Sequence, residues 1–495
     1  MNLSEAFAEC ATAQGAKHAI YYGSEELTYA ELYQQCQLFA GFLNGRVRAQ
    51  DRVGIWLKNC PEFVSVVFAI LNLEAVVVPI NNFLKADEVS RIVQDAGIKL
   101  IITDDDLDHE IGKLREMAPH LEMIKLPVLK SNTDGILSRV SSARENDLAV
   151  MIYTSGTTGK AKGVMLSHGN LLANVESCRV VLRAAGTDRF IVLLPLFHSF
   201  MMCVGMFLPL LVGGAMILIK SIHPAKNVLA EIMHRGGTIL PSVPQFFRTL
   251  ANVTFPPNFP LRLCISGGAP LPGEILREWN ANFPIPLLEG YGLSEASPVV
   301  SFNPLLGPWK AGSIGVPITG VEISIQGENG EFLGDHETGE VCVRGANVML
   351  GYWNQPEETS RVMRGGWLLT GDIGHRDEEG YFYITDRKKD MLLVNGINVY
   401  PREIEETIYR FPGIREAAVV GEKSERRGEQ PVGFISEKEG FVVDVKELLQ
   451  FLKEHLADYK VPRKIKILPA LPRNPTGKIL KPALKEMLNA EKAED

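Results

Sequence analysis

The segment that says most about the fold reads Tyr153-Thr154-Ser155-Gly156-Thr157-Thr158-Gly159-Lys160-Ala161-Lys162-Gly163. Glycines let a backbone approach an anion closely, and backbone N–H groups, hydroxyls and lysines all donate hydrogen bonds to phosphate oxygens. The apolar run 148–153 at its start predicts a buried strand. The segment is therefore predicted to be a phosphate-binding loop that begins at the end of a strand.

This loop departs from the P-loop pattern G-x-x-x-x-G-K-[ST] at two places. Thr154 stands at the position of the first glycine, and Ala161 follows Lys160 where the pattern needs a magnesium-binding serine or threonine. We therefore expect a different fold to hold the nucleotide.

Length and composition favour a soluble enzyme with several domain-sized units, since the chain has 495 residues of which 46% are hydrophobic. A formal net charge of −8 gives no general attraction to nucleic acid or to anionic membranes. The seven cysteines form no C-x-x-C pair, and the N-terminus lacks a signal-peptide pattern. A reduced, cytoplasmic protein is the expectation.

One stretch, 191–219, contains no Asp, Glu, Lys or Arg and is long enough to cross a bilayer. Its prolines and glycines, among them Pro195, Pro209 and Gly213, divide it into pieces about as long as strands and short helices. The pattern favours buried core over a transmembrane segment.

Short apolar runs alternate with amphipathic stretches through most of the chain. The clearest runs are 53–57, 75–80, 100–103, 216–219 and 261–265. This alternation predicts parallel sheets covered by helices, an α/β fold. From 312 to 383, short strands separated by Gly, Asp and Glu turns predict a β-rich, barrel-like subdomain. The charged cluster 386–390 favours a boundary, and a compact α+β domain is expected after it.

Four further motifs follow the phosphate loop in order. They are Glu289-Gly290-Tyr291-Gly292-Leu293-Ser294-Glu295, Leu369-Thr370-Gly371-Asp372, Ile384-Thr385-Asp386-Arg387-Lys388-Lys389-Asp390 and Pro472-Arg473-Asn474-Pro475-Thr476-Gly477-Lys478. Together with the loop they closely resemble the motifs of the adenylate-forming superfamily of acyl-CoA synthetases, luciferases and peptide adenylation domains. The resemblance covers essentially the whole chain and is closest to fatty acyl-CoA synthetases.

The resemblance implies a domain organisation. A large N-terminal domain, 1–387, would contain two doubly wound α/β subdomains and the β-barrel-like subdomain. A small, mobile α+β domain, 388–495, would follow. Such an enzyme uses ATP and Mg²⁺ to convert a carboxylic acid to acyl-AMP and pyrophosphate, and then transfers the acyl group to the thiol of coenzyme A.

The resemblance also implies catalytic and metal-binding residues. Lys478 matches the catalytic lysine, and Glu295 matches the catalytic, Mg²⁺-binding glutamate. His198 matches the position beside the substrate carboxylate, and we expect it to gate the acyl pocket. In Ser294 a serine replaces the more usual threonine, and Ala161 replaces a common proline; both changes keep the donors in place.

Residues expected to bind ATP come from the phosphate loop and from the later motifs. They are Thr154, Ser155, Gly156, Thr157, Thr158, Gly159, Lys160, Lys162, Gly268, Ala269, Pro270, Glu289, Gly290, Tyr291, Gly292, Ser294, Asp372 and Arg387. By the resemblance, Tyr291 stacks on adenine, Asp372 accepts hydrogen bonds from the ribose hydroxyls, and Arg387 makes a second ribose or phosphate contact.

Two residues are expected to serve the second half-reaction. Lys389 aligns with the hinge about which the small domain swings between an adenylation pose and a thioester-forming pose. Gly396 would line the pantetheine tunnel, where the absence of a side chain admits the thiol arm; an ordinary turn glycine is the alternative.

The acid and the acceptor stay open at this point. A medium- or long-chain fatty acid is favoured and an aryl acid is the alternative, while the Asp-bearing motif that holds an amino acid substrate has no counterpart. Met201, Met202, Val204 and Phe207 either line an acyl channel or belong to the core. CoA is the expected acceptor, with an acyl carrier protein as the alternative. The basic tail 460–485, with eight Lys or Arg and no Asp or Glu, either faces an anionic partner or is a solvated surface.

Overall fold

The computed structural model describes residues 1–494 apart from 132–134, 156–160, 223, 252, 254, 257, 396, 425–427 and 475–476. The α-helices are, in chain order, α1 (Leu3–Ala13), α2 (Tyr29–Leu43), α3 (Pro61–Asn72), α4 (Ala86–Ala96), α5 (Asp108–Met117), α6 (Leu126–Ser131), α7 (His168–Leu182), α8 (Leu208–Leu211), α9 (Ala225–Arg235), α10 (Pro244–Ala251), α11 (Gly273–Asn282), α12 (Pro356–Val362), α13 (Pro401–Tyr409), α14 (Val445–His455) and α15 (Lys481–Glu494). A π-helical segment, Met201–Phe207, leads into α8.

The strands are, in chain order, β1 (His18–Tyr22), β2 (Glu25–Thr28), β3 (Arg52–Trp56), β4 (Val76–Pro79), β5 (Leu100–Thr103), β6 (Glu122–Lys125), β7 (Leu148–Ser155), β8 (Ala161–Ser167), β9 (Arg189–Val192), β10 (Ala215–Leu218), β11 (Ile239–Ser242), β12 (Leu263–Ser266), β13 (Leu287–Gly292), β14 (Val299–Phe302), β15 (Val316–Pro317), β16 (Val321–Gln326), β17 (Gly339–Gly345), β18 (Gly351–Tyr352), β19 (Met363–Arg364), β20 (Trp367–Arg376), β21 (Phe382–Arg387), β22 (Leu392–Val394), β23 (Ile397–Val399), β24 (Ile414–Ser424), β25 (Gly428–Glu437) and β26 (Lys464–Ile467). All five apolar runs singled out in the sequence form strands, namely β3, β4, β5, β10 and β12.

Two mostly parallel sheets form the bulk of the large domain. The first has the order β2-β1-β10-β9-β11-β12-β13-β14-β15, and the second has the order β6-β5-β3-β4-β7-β8-β18. Neighbours from β1 to β13 are parallel in the first sheet, and neighbours from β6 to β7 are parallel in the second. Antiparallel strands close the ends.

Both sheets are covered on both faces, which is why strands such as β4 are buried along their whole length. One core lies between the sheets and joins Phe190 of the first to Val77 of the second. The outer face of the first sheet packs against α9, α10 and α11, and the outer face of the second packs against α4 and α5. The predicted pair of doubly wound subdomains is therefore confirmed.

The third and fourth sheets complete the molecule. The third, β16-β17-β20-β19 with β21 beside β20, is antiparallel and is the β-rich subdomain expected from the sequence. The fourth, β23-β22-β25-β24 with β26 beside β25, forms the small α+β domain with α13, α14 and α15. The cluster 386–390 begins with the last two residues of β21 and continues into the connection to β22; the boundary at 387/388 stays a prediction.

The charge-free stretch 191–219 forms the end of β9, the π-helical segment, α8 and β10, and most of it is buried in the core, as expected. No helix within the described ranges is long and apolar enough to span a membrane.

Candidate active site

A cavity of about 470 Å³ contains most of the described residues that the motifs predict to be functional. It lies at the carboxyl ends of β12 and β13, where ligands bind in open α/β sheets. The large domain supplies most of its wall; Lys388 and Lys389 come from the predicted boundary, and Asn474 and Lys478 come from the body of the small domain. Two larger grooves, of about 760 and 800 Å³, contain none of the predicted site residues.

The phosphate-loop segment is a β-hairpin. β7 and β8 are antiparallel, with Thr154 opposite Lys162, and both residues line the cavity. This geometry explains why the P-loop pattern fails, because a P-loop leads from a strand into a helix. The loop tip, Gly156, Thr157, Thr158, Gly159 and Lys160, lies outside the described residues, as does the side chain of Ser155.

Lys162 is buried, and its Nζ lies 2.6 Å from Oε2 of Glu358 on α12. A bound phosphate would therefore compete with a carboxylate for this ammonium group. The ion pair lowers the pKa of Glu358, so the carboxylate stays charged at neutral pH.

Three side chains from three strands form the group expected to meet the ribose. Tyr291 on β13 donates its hydroxyl to Oδ2 of Asp372 on β20, at 2.5 Å. Nε of Arg387 on β21 lies 3.0 Å from the other oxygen, Oδ1. Asp372 is buried, so its charge depends on these two partners. Burial and the nearby Asp372 carboxylate hold the pKa of Tyr291 well above its usual range, so the hydroxyl remains a donor.

The segment between β13 and β14 is a tight turn that exposes Ser294 and Glu295 to the cavity. Oγ of Ser294 lies 3.0 Å from Oγ of Ser199, and Oε1 of Glu295 accepts a hydrogen bond of 2.8 Å from the Tyr352 hydroxyl. Gly290 precedes the turn, and a Cβ there would lie 2.3 Å from a ring carbon of Phe302. Any side chain at 290 would therefore push Phe302 out of the wall.

The Glu295 carboxylate fits a Mg²⁺ ion that is bound mainly through phosphate oxygens rather than by several protein ligands. In the part of the chain that the structure describes, no group of three or more His, Cys, Asp and Glu residues is arranged to hold a metal. Mg²⁺ typically takes one or two carboxylates and completes its shell with phosphate oxygens and waters. Glu295 supplies such a carboxylate at the cavity wall.

Lys478 lies at the end of a turn that is held by its own hydrogen bonds. The Lys478 N–H donates to Oδ1 of Asn474 at 2.8 Å, and Arg473 donates to the carbonyl of Gly477. Burial lowers the pKa of Lys478 to about 8, and the positive charge of Arg387 adds to the shift while Asp372 opposes it. The ammonium group therefore lies beside the ribose-binding group even though it belongs to the other domain.

His198 is a neutral ring in the wall of the cavity. Burial lowers its pKa to about 4, with the Lys478 charge as a second cause. The Phe200 N–H donates to Nδ1 at 3.3 Å, so Nδ1 is an acceptor and Nε2 carries the hydrogen in the neutral ring. The side chain can thus donate from Nε2 without carrying charge.

The remaining predicted residues divide into three groups. Gly268, Gly292 and Lys389 line the cavity. The described cavity wall does not include Ala269, Pro270 or Glu289. Glu289 is buried, and its Oε1 accepts a hydrogen bond of 3.0 Å from the Leu271 N–H. Burial raises the pKa of Glu289 to about 7. Gly396 lies outside the described residues.

Two open alternatives from the sequence are answered by packing. Met201, Met202, Val204 and Phe207 are fully buried and are absent from the described cavity wall, so they belong to the core.

The basic tail is largely neutralised by acidic residues of the same domain. The ion pairs join Lys460 to Glu403, Arg463 to Asp458, Lys464 to Glu422, Arg473 to Glu416 and Lys481 to Glu405.

Ser199, Tyr352 and Glu358 are among the residues at the predicted site that sequence reasoning missed. Ser199 directly follows His198, which is a weak signal. Tyr352 and Glu358 lie outside all five motifs. Their contacts depend on how β18 and α12 return to the second sheet, and no local pattern reveals that return.

Comparison with known proteins decides the family. A family model described as AMP-binding enzyme matches residues 7–353, and one described as AMP-binding enzyme C-terminal domain matches residues 403–478. The chain belongs to the AMP-binding enzyme family. The predicted membership of the adenylate-forming superfamily, near the fatty acyl-CoA synthetases, is thereby confirmed, as is the predicted enzyme class.

Relatives within this family match along almost the full chain. The chain is 35% identical to a long-chain-fatty-acid–CoA ligase of Bacillus subtilis, over 95% of this chain and 91% of that protein. It is 33% identical to a feruloyl-CoA synthase of an Amycolatopsis species, over 94% of each. These two AMP-binding enzymes differ in the class of acid that their names record.

A solved AMP-binding enzyme also shows which pose the chain resembles. The crystal structure of ATP-bound MatB from Rhodopseudomonas palustris gives a TM-score of 0.91 at 31% identity, over 98% of this chain and 99% of that one. Apo MatB from the same organism gives 0.79, also over 98% and 99%. The present arrangement is therefore more similar to the ATP-bound form.

Proposed function

We propose that this enzyme is an ATP-dependent acid–CoA ligase. It converts a carboxylic acid whose acyl group is apolar and uncharged to acyl-AMP and then to acyl-CoA. One observation carries the proposal. Lys478 of the small domain lies in the same cavity as Ser294, Glu295 and Arg387 of the large domain. A lysine in this place can act only while the two domains are packed in this pose, which is the arrangement that a two-pose ligase needs for its first step.

The first step joins two anions. A carboxylate oxygen of the acid attacks the α-phosphorus of ATP, the new O–P bond forms, and the bond to pyrophosphate breaks. Positioned cations and donors are the main way to stabilise the charge that develops in such a transfer. Lys478 is mostly protonated at pH 7, below its pKa of about 8, and we assign it the contact that joins the carboxylate to the α-phosphate.

The other residues orient the nucleotide. The pair formed by Asp372 and Arg387 is proposed to bind the ribose, with Tyr291 against the adenine and the Ser294 hydroxyl on the α-phosphate. Glu295 would hold Mg²⁺, which supplies charge neutralisation at the phosphates when bound. Because the ribose-binding group is already hydrogen-bonded within the large domain, the nucleotide meets a preset surface.

The second step needs Lys478 to leave. In the thioester-forming pose the CoA thiol gives up its proton to solvent and its sulfur attacks the acyl carbonyl carbon, so that the C–S bond forms, the C–O bond to the phosphate breaks, and AMP departs. We propose that the small domain, 388–495, turns about Lys389 to admit the pantetheine arm. The higher similarity to ATP-bound MatB than to apo MatB supports an interpretation of the present arrangement as the adenylation pose.

The apolar part of the cavity favours an acid without a second charge. It is formed by Phe200, Ile265, Val299 and Phe302, close to the neutral His198. The cavity of about 470 Å³ must hold the adenylate together with the acyl group. The buried segment Met201–Phe207 continues directly from Phe200 and is fully packed, so a long acyl chain needs this segment to move. We therefore place medium-chain fatty acids first.

An aryl acid is the second candidate. Phe200 and Phe302 both line the cavity, and aromatic side chains bind a flat ring through offset or edge-to-face contacts. The likeness to a feruloyl-CoA synthase supports this candidate as much as the likeness to a fatty-acid ligase supports the first. CoA is the proposed acceptor, and loading of an acyl carrier protein is the alternative.

A mass-spectrometric assay separates these possibilities. Purified enzyme is mixed with ATP, Mg²⁺ and one acid at a time, from acetate to stearate and including benzoate and cinnamate, with and without CoA. The proposal predicts acyl-CoA and AMP in equal amounts, with medium-chain acids fastest. Acyl-AMP and pyrophosphate without acyl-CoA would replace CoA by a carrier protein, and the absence of acyl-AMP with every acid would refute acid activation of this class.

A further inference from the structure

Tyr352 contacts two parts of the site that are far apart in sequence. Its hydroxyl donates to Oε1 of Glu295 at 2.8 Å. Its ring lies against Lys162, with Nζ 5.0 Å from the ring centroid, a distance typical of a cation–π contact. Only 7% of Tyr352 is exposed, so both contacts are largely shielded from water. One side chain thus touches the proposed metal ligand and a proposed phosphate ligand.

The backbone around Tyr352 is fixed to the phosphate hairpin. β18 pairs with β8, with Gly351 opposite Met165 and Tyr352 opposite Val164. The Trp353 N–H donates to the Gly163 carbonyl at 2.8 Å, which continues the pairing past the strand. Tyr352 therefore moves with the strand that carries the loop.

The same segment is also fixed to the turn that carries Glu295. The Met349 N–H donates to the Glu295 carbonyl at 2.8 Å. In the contact between the two side chains the hydroxyl is the donor, because a carboxylate oxygen accepts. A glutamate side chain has several rotatable bonds, and a donor on one oxygen fixes the direction of the other.

We propose that Tyr352 is a positioning residue that ties the carboxylate of Glu295 to the phosphate-loop strand, so that the metal and the phosphates keep one relative geometry. The inference rests on the proposed role of Glu295 as the Mg²⁺ ligand. Partners that orient a metal ligand are typically worth 10- to 100-fold in metal affinity, which sets the size of the effect to expect.

The test measures metal binding rather than turnover. Mn²⁺ replaces Mg²⁺, and its binding to the enzyme–ATP complex is followed by electron paramagnetic resonance, with ATP binding alone measured by calorimetry in the presence of a chelator. Tyr352→Phe keeps the ring beside Lys162 and removes the hydroxyl. We expect roughly tenfold weaker Mn²⁺ binding and unchanged metal-free ATP binding.

Three further variants make the result decisive. Tyr383→Phe is the matched control, because its hydroxyl also donates to a carboxylate, Oδ2 of Asp377 at 3.1 Å, and neither residue lines the described cavity wall. Glu295→Gln tests the proposed function itself: if it leaves Mn²⁺ binding intact, the metal role of Glu295 is wrong. In the double variant, Tyr352→Phe should add little to the loss caused by Glu295→Gln, because Tyr352 acts through Glu295.

The positioning role is overturned if Glu295→Gln loses Mn²⁺ while Tyr352→Phe binds it like the unaltered enzyme. It is also overturned if the two losses simply add, or if Tyr352→Phe weakens metal-free ATP binding to the same extent as metal binding.

Discussion

The ribose-binding group, of which Tyr291 and Arg387 line the cavity, is built differently from the Lys478 turn in the same cavity. Tyr291, Asp372 and Arg387 lie on strands of the large domain, and Tyr291 and Arg387 both bond to Asp372. Lys478 belongs to the small domain and reaches the cavity only because the domains are packed together. The nucleotide-binding surface is therefore preset, whereas the catalytic charge depends on a domain pose.

The contacts that hold this pose are of a kind that can be broken. Lys438 Nζ lies 2.7 Å from Oε1 of Glu274 and 3.3 Å from Oε1 of Glu278 on α11, and all three side chains are partly exposed. Ion pairs of this kind contribute little net stability. This contact between the domains can thus break at little cost, as the two-pose proposal requires.

The largest effect on activity is expected when the ammonium group of Lys478, whose place in the cavity depends on the domain pose, is removed. Lys478→Ala should lower acid-dependent exchange of pyrophosphate into ATP by roughly 100- to 1,000-fold, the usual cost of losing one aligned charge-stabilising donor. Isotope exchange with labelled pyrophosphate measures this half-reaction directly. Lys389→Ala, which removes another lysine from the same wall, is the control, and a comparable loss there would mean that general positive charge matters rather than Lys478.

The next effect should appear when the pose is trapped. Lys389→Pro fixes φ at the proposed hinge and should slow acyl-CoA formation from supplied acyl-AMP by roughly 100-fold, the size of effect that misplaced reactive groups produce. Pyrophosphate exchange should stay within about twofold of the unaltered enzyme, since this pose already places Lys478. Lys389→Ala keeps the backbone free and should retain both activities. Unimpaired thioester formation in the proline variant would remove Lys389 as the pivot.

A smaller effect is expected at the preset surface. Asp372→Asn removes the charge shared by Tyr291 and Arg387 and should weaken ATP binding by about tenfold, the value of one charged hydrogen bond. Calorimetric titration with ATP gives the affinity. Asp377→Asn, which alters a Tyr–Asp pair in the same subdomain and away from the cavity, should leave ATP affinity unchanged. If both variants bind ATP equally well, the ribose role of Asp372 is wrong.

The smallest effect concerns pH. Because the pKa of Lys478 lies at about 8, its ammonium charge is present below that pH and is lost as the pH rises through it. The rate of pyrophosphate exchange should fall to about half its plateau near pH 8. His198, with a pKa of about 4, is already neutral throughout this range and contributes no step. A rate that stays level to pH 9 would show that Lys478 does not act as a cation.

The sequence predicted the parts of the molecule whose signals are local. Apolar runs such as 53–57 became strands, and the five motifs led to residues that converge on one cavity. It could not reveal that Tyr352 bonds to Glu295, because that contact joins residues 57 positions apart through the packing of β18. Nor could composition show that the basic tail is neutralised by Glu403, Glu405 and other acidic residues of the small domain.

The two-pose account is tested most directly by giving Lys478→Ala a synthetic acyl adenylate together with CoA and following acyl-CoA by mass spectrometry. The account predicts a rate within about threefold of the unaltered enzyme, because the thioester-forming pose does not use this lysine. Loss of this step by as much as pyrophosphate exchange is lost would contradict the account, since one residue in one pose would then serve both reactions.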